Sequence, residues 1–265
     1  MMNNKSKIGV FDSGIGGLTV LKELLKILPN EEYIYLADLK NSPYGEKSPE
    51  QIKSMAIKNI KFLIEKGSKI IVVACNTASS YYMEDIRAMF KTPILTVLEA
   101  AINSISNNDK KILLVATNAT IKSGSYDQYI ERKTKNIKLY KKACPIIVPS
   151  IENEDLDDSS IQDIVDNYIK EYKNKNIELL ILGCTHYPIW VENFRKSIGY
   201  QTKILNPANR LANEVFLYLK DRQMLNSEET SSVKYFVTEN KDKFFNKGKN
   251  LIKNMKLEDI NKIEL

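Results

Sequence analysis

The chain has 265 residues, of which 43% are hydrophobic and 27% charged, a composition typical of a globular protein rather than of a disordered or fibrous one. It contains no run of eighteen apolar residues, and a strand pattern begins at the N-terminus in place of an apolar leader, so we expect a cytoplasmic protein without a membrane segment. The net charge of +6 comes mainly from lysines placed beside acidic residues along helices, which favours a solvated surface over a nucleic-acid interface.

The chain contains three cysteines, Cys75, Cys144 and Cys184, and a single histidine, His186. An odd number of cysteines without a C-x-x-C pair excludes a disulfide framework. One histidine leaves too few nitrogen and sulfur ligands for a zinc site, so we expect no metal. In a reducing compartment the thiols are free, and each is either a small side chain of the apolar core or a reactive group of a functional site.

The first part of the chain alternates strands with helices. Strands are predicted at 7–11, 33–38 and 69–74, and helices at 18–28 and 49–67. Ser48 is the N-cap of the second helix and Pro49 its first residue. The run KIIVVA at 69–74 is typical of a strand buried on both faces of a parallel sheet.

The same alternation restarts near residue 110. Strands are predicted at 110–117, 136–142, 178–182, 203–205 and 232–237, with a short end segment at 261–265, and helices at 118–133, 161–172, 188–199 and 208–220. Alternating elements of this kind predict parallel sheets with right-handed crossovers.

Two segments of the chain share one plan. KIIVVACNTASSYY (69–82) and ELLILGCTHYPIW (178–190) each contain an apolar strand, a cysteine at its end, a threonine just after and a helix start. The spacing from Asp12 to Cys75 also resembles that from Thr117 to Cys184. We therefore predict an α/β fold of two pseudo-symmetric, doubly wound parallel-sheet domains. The active site should lie at their interface, beyond the carboxyl ends of the strands.

Cys75 and Cys184 are the candidate catalytic residues. Each precedes a predicted helix N-terminus, where free N–H groups and the helix dipole lower a thiol pKa and bind anions. Cys144 has apolar neighbours and a following proline, so we interpret it as a buried side chain. Two acid/base groups on opposite faces of one carbon suit racemisation. Hydrogen bonds could stabilise the resulting carbanion beside a carboxylate; the candidate donors are Ser13, Asn76, Thr77 and Thr185.

Two other interpretations of these motifs stay open. The turn DSGIGG starts like a dinucleotide loop, but its third glycine position is Thr19, so it favours a turn that brings a small anion to backbone N–H groups. Cys184 and His186 could form the nucleophile pair of a thiol hydrolase. That interpretation leaves Cys75 without a role.

Four segments, in this order, resemble the signature blocks of the glutamate racemase family, within the aspartate/glutamate racemase superfamily: Asp12–Thr19, Pro43–Gly45, Cys75–Ala78 and Leu182–Pro188. Weaker similarity, including that around Cys144, fills the gaps, so the resemblance covers essentially the whole chain. The stretch 39–42 departs from the pattern expected ahead of Pro43 and could alter the rim of the pocket.

The resemblance implies a cofactor-independent racemase that interconverts L- and D-glutamate and supplies D-glutamate for peptidoglycan. Cys75 would act on the D-enantiomer and Cys184 on the L-enantiomer. The same match places eight further residues around the substrate: Asp12, Ser13, Tyr44, Gly45, Asn76, Thr77, Thr185 and His186. It also implies that Asp12, Glu152 and His186 tune the cysteines and that Thr117 and Thr120 touch substrate.

The resemblance further implies a first domain of residues 1–98 plus 207–265 and a second of residues 99–206. We expect a small-molecule substrate, glutamate, and a homodimer, with no cofactor, no membrane and no specific nucleic-acid partner. Three alternatives stay open: a racemase of another acidic amino acid such as aspartate, a Cys–His thiol hydrolase, and a non-catalytic protein that binds nucleic acid or a partner such as a topoisomerase. Glutamate and aspartate differ by one methylene, and an apolar pocket discriminates such a difference by only about 1–3 kcal/mol. The sequence therefore does not decide between these two substrates.

Overall fold

The computed structural model describes residues 6–153, 155–228 and 231–265. Its strands, numbered in chain order, are β1 (Lys7–Asp12), β2 (Glu32–Ala37), β3 (Ser68–Val73), β4 (Ile94–Thr96), β5 (Lys111–Ala116), β6 (Lys138–Ala143), β7 (Leu179–Gly183), β8 (Lys203–Leu205), β9 (Ser232–Val237) and β10 (Ile260–Lys262). They form two sheets in which neighbouring strands are parallel.

The helices of the described residues lie between these strands. They are α1 (Leu18–Ile27), α2 (Pro49–Glu65), α3 (Asn76–Ser79), α4 (Met83–Met89), α5 (Val97–Asn103), α6 (Asn118–Ser123), α7 (Ser125–Lys133), α8 (Ile147–Asn153), α9 (Asp158–Ile169), α10 (Val191–Ile198), α11 (Ala208–Asp221) and α12 (Lys241–Gly248). Short 3-10 turns occupy 39–41, 44–46, 170–175, 187–190 and 257–259. In the described part of the chain, no helix combines the length and the apolar character that crossing a membrane requires.

Sheet A has the strand order β10-β9-β2-β1-β3-β4, and sheet B the order β6-β5-β7-β8. The predicted fold class, α/β with two parallel-sheet domains, is confirmed. Sheet A takes its strands from residues 7–96 and 232–262, and sheet B from 111–205. The proposed domain limits, 1–98 plus 207–265 and 99–206, stay a prediction.

The strand order places the ends of key strands side by side. In sheet A, β1 pairs with β3, so Asp12, the last residue of β1, lies near Cys75, which follows the end of β3. In sheet B, β5 pairs with β7, so Thr117 and Cys184 follow neighbouring strands in the same way. One cluster of buried apolar side chains includes residues of both sheets, such as Val10 of sheet A and Val115 of sheet B. The two halves are therefore packed together.

Helix α2 forms where the sequence predicts it. The Ser48 hydroxyl accepts a hydrogen bond from the Gln51 N–H, and the Gln51 side chain accepts one from the Ser48 N–H, which closes a capping box around Pro49. Its apolar stripe, which includes Ile52 and Ile60, is buried. Ile60 shares one buried apolar cluster with Tyr44 and with Phe11 of β1, so α2 and the 3-10 turn at 44–46 pack on sheet A.

Two predicted helices differ from the structure. The segment 118–133 is not one helix, because Gly124 adopts φ +66° and separates α6 from α7. The segment from Pro188 begins as a 3-10 turn, and α10 starts only at Val191, although Gly199 ends it as predicted with φ +102°. Strand β4 and helices α4, α5, α8 and α12 were not predicted, since short elements give little periodicity.

Candidate active site

Cys75 and Cys184 line the same cavity. Cys75 follows β3 in sheet A and is the N-cap residue of α3, whereas Cys184 follows β7 in sheet B. Both are buried, with 4% and 6% of their surface exposed. Nine of the ten predicted site residues line this cavity: Ser13, Tyr44, Gly45, Cys75, Asn76, Thr77, Cys184, Thr185 and His186. The polar residues that follow the strands of both sheets therefore meet in one cavity.

Asp12 is the predicted site residue that does not line the cavity. It is fully buried, and its carboxylate accepts hydrogen bonds from the Gly14 N–H at 3.0 Å and the Thr185 hydroxyl at 3.1 Å. Burial raises its pKa, while the nearby His186 opposes the shift. Asp12 thus holds a loop of the first half against a loop of the second, from behind the cavity wall.

The Tyr44 hydroxyl is engaged in hydrogen bonds with its own half of the protein. It donates to the Asp38 carboxylate at 2.5 Å and accepts from the Asn59 amide at 2.9 Å. The next residue, Gly45, packs so closely on Thr117 that an added Cβ would lie 2.7 Å from the Thr117 Cβ. The missing side chain lets this turn approach the second half, which closes one side of the cavity.

Asn76 carries an unsatisfied buried donor. Its side-chain oxygen accepts a hydrogen bond from the Tyr126 hydroxyl at 2.8 Å, but its Nδ2 has no hydrogen-bond partner among the described residues. Only 2% of the residue is exposed. A buried, unpaired donor costs about 1–3 kcal/mol. The wall of the cavity therefore offers an N–H group to an acceptor such as a carboxylate.

Three threonine hydroxyls meet beside Asn76. The oxygen atoms of Thr77 and Thr117 are 2.9 Å apart, those of Thr77 and Thr120 3.2 Å, and those of Thr117 and Thr120 3.1 Å. Thr77 and Thr117 line the cavity, whereas Thr120 supports them from behind. The cluster joins α3 of the first half to α6 of the second.

Cys184, His186 and Glu152 form a chain of polar contacts. Cys184 Sγ lies 3.8 Å from His186 Nδ1, and His186 Nε2 lies 2.8 Å from Glu152 Oε1. Burial lowers the pKa of His186, but the hydrogen bonds to Cys184 and Glu152 outweigh it and hold that pKa well above its usual value. Burial likewise raises the pKa of Glu152, and the bond to His186 reverses the shift, so the pKa is lowered. An imidazolium–carboxylate pair therefore stands beside Cys184.

Cys75 has the opposite electrostatic surroundings. Burial raises the pKa of its thiol to about 12, and the Asp12 carboxylate adds to the shift. The Ala78 N–H, 3.5 Å from Sγ, and the Ser13 hydroxyl, 3.8 Å away, lower it only in part. The prediction that a helix N-terminus lowers this pKa is therefore wrong for Cys75. Helix α3 has only four residues, and burial outweighs its N-terminal N–H groups.

The glycines of DSGIGG serve close packing of the two halves. A Cβ on Gly14 would collide with the Glu152 carboxylate, and one on Gly16 would collide with the His186 ring and lie 2.6 Å from the Thr185 hydroxyl. The predicted approach of a small anion to the backbone N–H groups of this turn stays a prediction, because these distances concern the missing side chains alone. The missing side chains of Gly14 and Gly16 make room for the residues beside Cys184.

The sequence model of the Asp/Glu/Hydantoin racemase family matches residues 8–215. This chain belongs to that family. It is 39% identical over 247 residues to the glutamate racemase of Thermoanaerobacter pseudethanolicus, with 92% of each chain covered. Its fold matches the glutamate racemase of Francisella tularensis, solved in complex with D-glutamate, with a TM-score of 0.88, 35% identity and 94% of each chain covered. It also matches a glutamate racemase from Bacillus anthracis with a TM-score of 0.93 and 28% identity over 98% of each chain. The chain is therefore an enzyme of the racemase class.

Sequence reasoning missed some residues around the cavity of the racemase. Val148, from α8, lines the cavity, and Tyr126, from α7, holds Asn76. Neither lies in a polar motif at the end of a strand, so no sequence signal marked them. Among the residues that the structure describes, no group of three His, Cys, Asp or Glu side chains is placed to hold a metal ion.

Proposed function

We propose that this racemase interconverts L- and D-glutamate without a cofactor, with Cys75 and Cys184 as its two acid/base groups. The observation that carries the proposal is that both thiols line one small cavity and reach it from different sheets. Its similarity to glutamate racemases, one of them in complex with D-glutamate, supports the choice of substrate.

The reaction moves one proton in and one proton out. In the L-to-D direction, Cys184 as thiolate removes the α-proton of L-glutamate, and the Cys75 thiol gives a proton to the opposite face. The cycle ends with the protonation of the two cysteines exchanged, so Cys75 then serves as the base for D-glutamate. The raised pKa of Cys75 and the imidazolium of His186 beside Cys184 favour this starting state.

The intermediate is a carbanion beside a carboxylate, and it needs hydrogen-bond donors at that carboxylate. The unpaired Asn76 Nδ2 is one such donor. The hydroxyl groups of Ser13, Thr77 and Thr185 line the same cavity. We assign these residues, with Tyr44, Gly45 and His186, to the substrate, and Asp12 to the positioning of Gly14 and Thr185.

The wider role follows from the family. We propose that the enzyme acts in the cytoplasm as a homodimer, that it supplies D-glutamate for peptidoglycan, and that residues 1–98 plus 207–265 form one domain and residues 99–206 the other. The distribution of the strands between sheets A and B supports this division. It does not bind a specific nucleic acid in this proposal.

The test is a racemisation assay on purified protein without added pyridoxal phosphate. L- and D-glutamate, and in parallel L- and D-aspartate, are followed by circular dichroism. We expect each glutamate enantiomer to lose its signal as the racemate forms, and aspartate to react much more slowly. A flat signal with both glutamate enantiomers contradicts the proposal, and faster turnover of aspartate moves the substrate to that amino acid.

A further inference from the structure

A buried carboxylate, that of Asp38, lies behind one wall of the catalytic cavity. Asp38 directly follows β2, and only 2% of the residue is exposed. Asn41 Nδ2 donates a hydrogen bond to each of its two oxygen atoms, both at 3.0 Å. The Tyr44 hydroxyl donates to the same carboxylate at 2.5 Å, and the Thr238 hydroxyl at 3.1 Å. Hydrogen bonds from three neutral side chains therefore replace the water that this buried charge has lost.

The hydrogen bonds of Asp38 join the wall of the cavity to sheet A. Residues Pro43–Gly45 line the cavity, and we call them the wall turn. Thr238 directly follows β9, and the Asp38 N–H donates to the Asp12 carbonyl in β1 at 3.0 Å. The Asp38 carboxylate therefore ties the wall turn to the ends of neighbouring strands of sheet A.

The wall turn also meets the second half of the protein. Gly45 packs on Thr117, which lines the cavity from the other side. Glu46, the next residue, accepts a hydrogen bond from the Asn118 side chain at 3.0 Å. The anchoring of the wall turn in the first half thus fixes where it meets the half that carries Cys184.

The hydrogen bonds of Tyr44 show how this residue serves the cavity. A phenol has a single O–H donor, and that of Tyr44 points to Asp38. The phenol oxygen accepts a hydrogen bond from Asn59 Nδ2 at 2.9 Å, and Tyr44 and Asn59 are each 1% exposed. The hydroxyl is therefore engaged inside the first half. Tyr44 shapes the cavity through the position of the wall turn rather than by donating a hydrogen bond to a substrate.

Asn41 connects this anchor with the stretch of the sequence that departs from the family pattern. It lies within residues 39–42, directly ahead of Pro43. Its amide supplies two of the four hydrogen bonds that the Asp38 carboxylate accepts. The departure therefore concerns the support of the cavity wall.

We propose that Asp38 is a positioning residue for racemisation, whose carboxylate holds Tyr44 and with it the wall turn in the place where bound glutamate meets them. The inference rests on the proposed function, since it takes glutamate as the substrate. The polar contacts of the two catalytic thiols are with other residues, namely Ser13, Ala78 and His186. Loss of the Asp38 carboxylate therefore weakens substrate binding and raises KM, while kcat changes little.

The experiment is a double-mutant cycle of Asp38→Asn and Tyr44→Phe in the full chain, measured as racemisation kinetics with glutamate. Asp38→Asn leaves one acceptor oxygen for three donor side chains, and Tyr44→Phe removes the hydroxyl that Asp38 holds. We expect each single variant to raise KM about tenfold, the equivalent of one hydrogen bond, with kcat within about threefold of the wild type. The double variant should raise KM far less than the product of the two single effects, because both changes break the same bond.

Two further variants separate positioning from folding. Asp109→Asn is the matched control, since Asp109 is also buried and accepts a hydrogen bond from the Ser106 N–H at 2.8 Å, but precedes β5 at the end of sheet B remote from the cavity. It should leave KM unchanged. Asn41→Ala removes two of the hydrogen bonds to Asp38 and should raise KM about threefold even if Asp38→Asn does not fold. A loss of folded protein alone would lower the apparent kcat at unchanged KM.

Four outcomes overturn the inference. Asp38→Asn, or Asn41→Ala if the former does not fold, could keep the KM of the wild type, or could lower only the apparent kcat. Asp109→Asn could raise KM equally. The KM effects of Asp38→Asn and Tyr44→Phe could multiply in the double variant, which would mean that the Tyr44 hydroxyl acts on the substrate independently. A wild-type protein that racemises neither glutamate nor aspartate overturns the proposed function instead, so the two failures are distinguishable.

Discussion

At the scale of single residues, the two thiols differ in the charge of their neighbours. Cys75 is buried near the Asp12 carboxylate, whereas Cys184 lies beside the imidazolium of His186. The proposed two-base racemisation needs one protonated and one deprotonated group at the start of each cycle, and the raised pKa of Cys75 favours the protonated role for that residue. The sequence marked both cysteines, because each ends an apolar strand. It could not give the pKa of Cys75, since burial depends on the packing of both halves.

The His186–Glu152 pair should stabilise the fold over a defined pH range. The pKa of His186 is raised, so its contribution is complete below pH about 6.5 and is lost as the pH rises through the folded-state pKa. The pKa of Glu152 is lowered, so its contribution is present above pH about 4.5 and is lost as the pH falls through the folded-state pKa. The pair therefore contributes most to the free energy of unfolding between pH about 4.5 and about 6.5.

We accordingly expect Glu152→Gln to lower the free energy of unfolding by about 3 kcal/mol near pH 5.5, because it leaves a buried imidazolium without its carboxylate. The loss should shrink as the pH is raised towards the folded-state pKa of His186. Urea unfolding at a series of pH values measures it. Glu171→Gln, which breaks the exposed pair with Lys142, is the control and should change little. A loss for Glu152→Gln that is independent of pH contradicts the assignment.

Asn76 offers a second test at this scale. Asn76→Ala removes the unpaired donor from the cavity, and we expect kcat/KM to fall by about 100-fold, the usual cost of one donor to a developing negative charge. The free energy of unfolding should fall by only about 1 kcal/mol, because the bond to Tyr126 is lost while a buried orphan disappears. Tyr126→Phe keeps the donor and should retain most of the activity. Equal losses in both variants would assign Asn76 a structural role alone.

At the scale of the elements, close approach at glycine positions sets the geometry of the site. The loop after β1 packs on the loop after β7, and the Thr19 hydroxyl donates to the carbonyl groups of Gly16 at 2.8 Å and Thr185 at 3.1 Å. The sequence predicted the two strands and the turn between β1 and α1. It could not show what the glycines face, because their neighbours lie far away along the chain.

Gly16→Ala should therefore displace the residues beside Cys184. The added Cβ would collide with the His186 ring, and a shift of about 1 Å in a catalytic group costs about 100-fold in activity. Gly124→Ala is the matched control, since Gly124 has φ +66° and open space around its Cα. Its cost should be about 1–2 kcal/mol in stability with kcat/KM unchanged. Steady-state kinetics and thermal unfolding of both variants separate the loss of activity from the loss of stability. Full activity of Gly16→Ala would contradict the prediction that its Cβ displaces the residues beside Cys184.

At the scale of the whole molecule, the fold follows from the repeated strand–cysteine–helix pattern. Buried apolar runs located β1, β2, β3, β5 and β7, and their parallel pairing brought the polar residues after them to one cavity. The return of the chain to sheet A through β9 and β10 was expected only from the family, because strand order depends on contacts between distant segments. Helix α12 was missed for another reason, because its eight residues give too little periodicity to mark a helix in the sequence.

The central claim is that two sulfur atoms act on opposite faces of one bound amino acid, and the most direct measurement is α-hydrogen exchange in D₂O by the single variants Cys75→Ala and Cys184→Ala. We predict that neither variant interconverts the enantiomers. Cys184→Ala should exchange only the α-hydrogen of D-glutamate, through Cys75, and Cys75→Ala only that of L-glutamate. Proton NMR of each enantiomer, with the wild type exchanging both, gives the readout. Racemisation by either variant, or exchange of both enantiomers by one of them, would contradict the account.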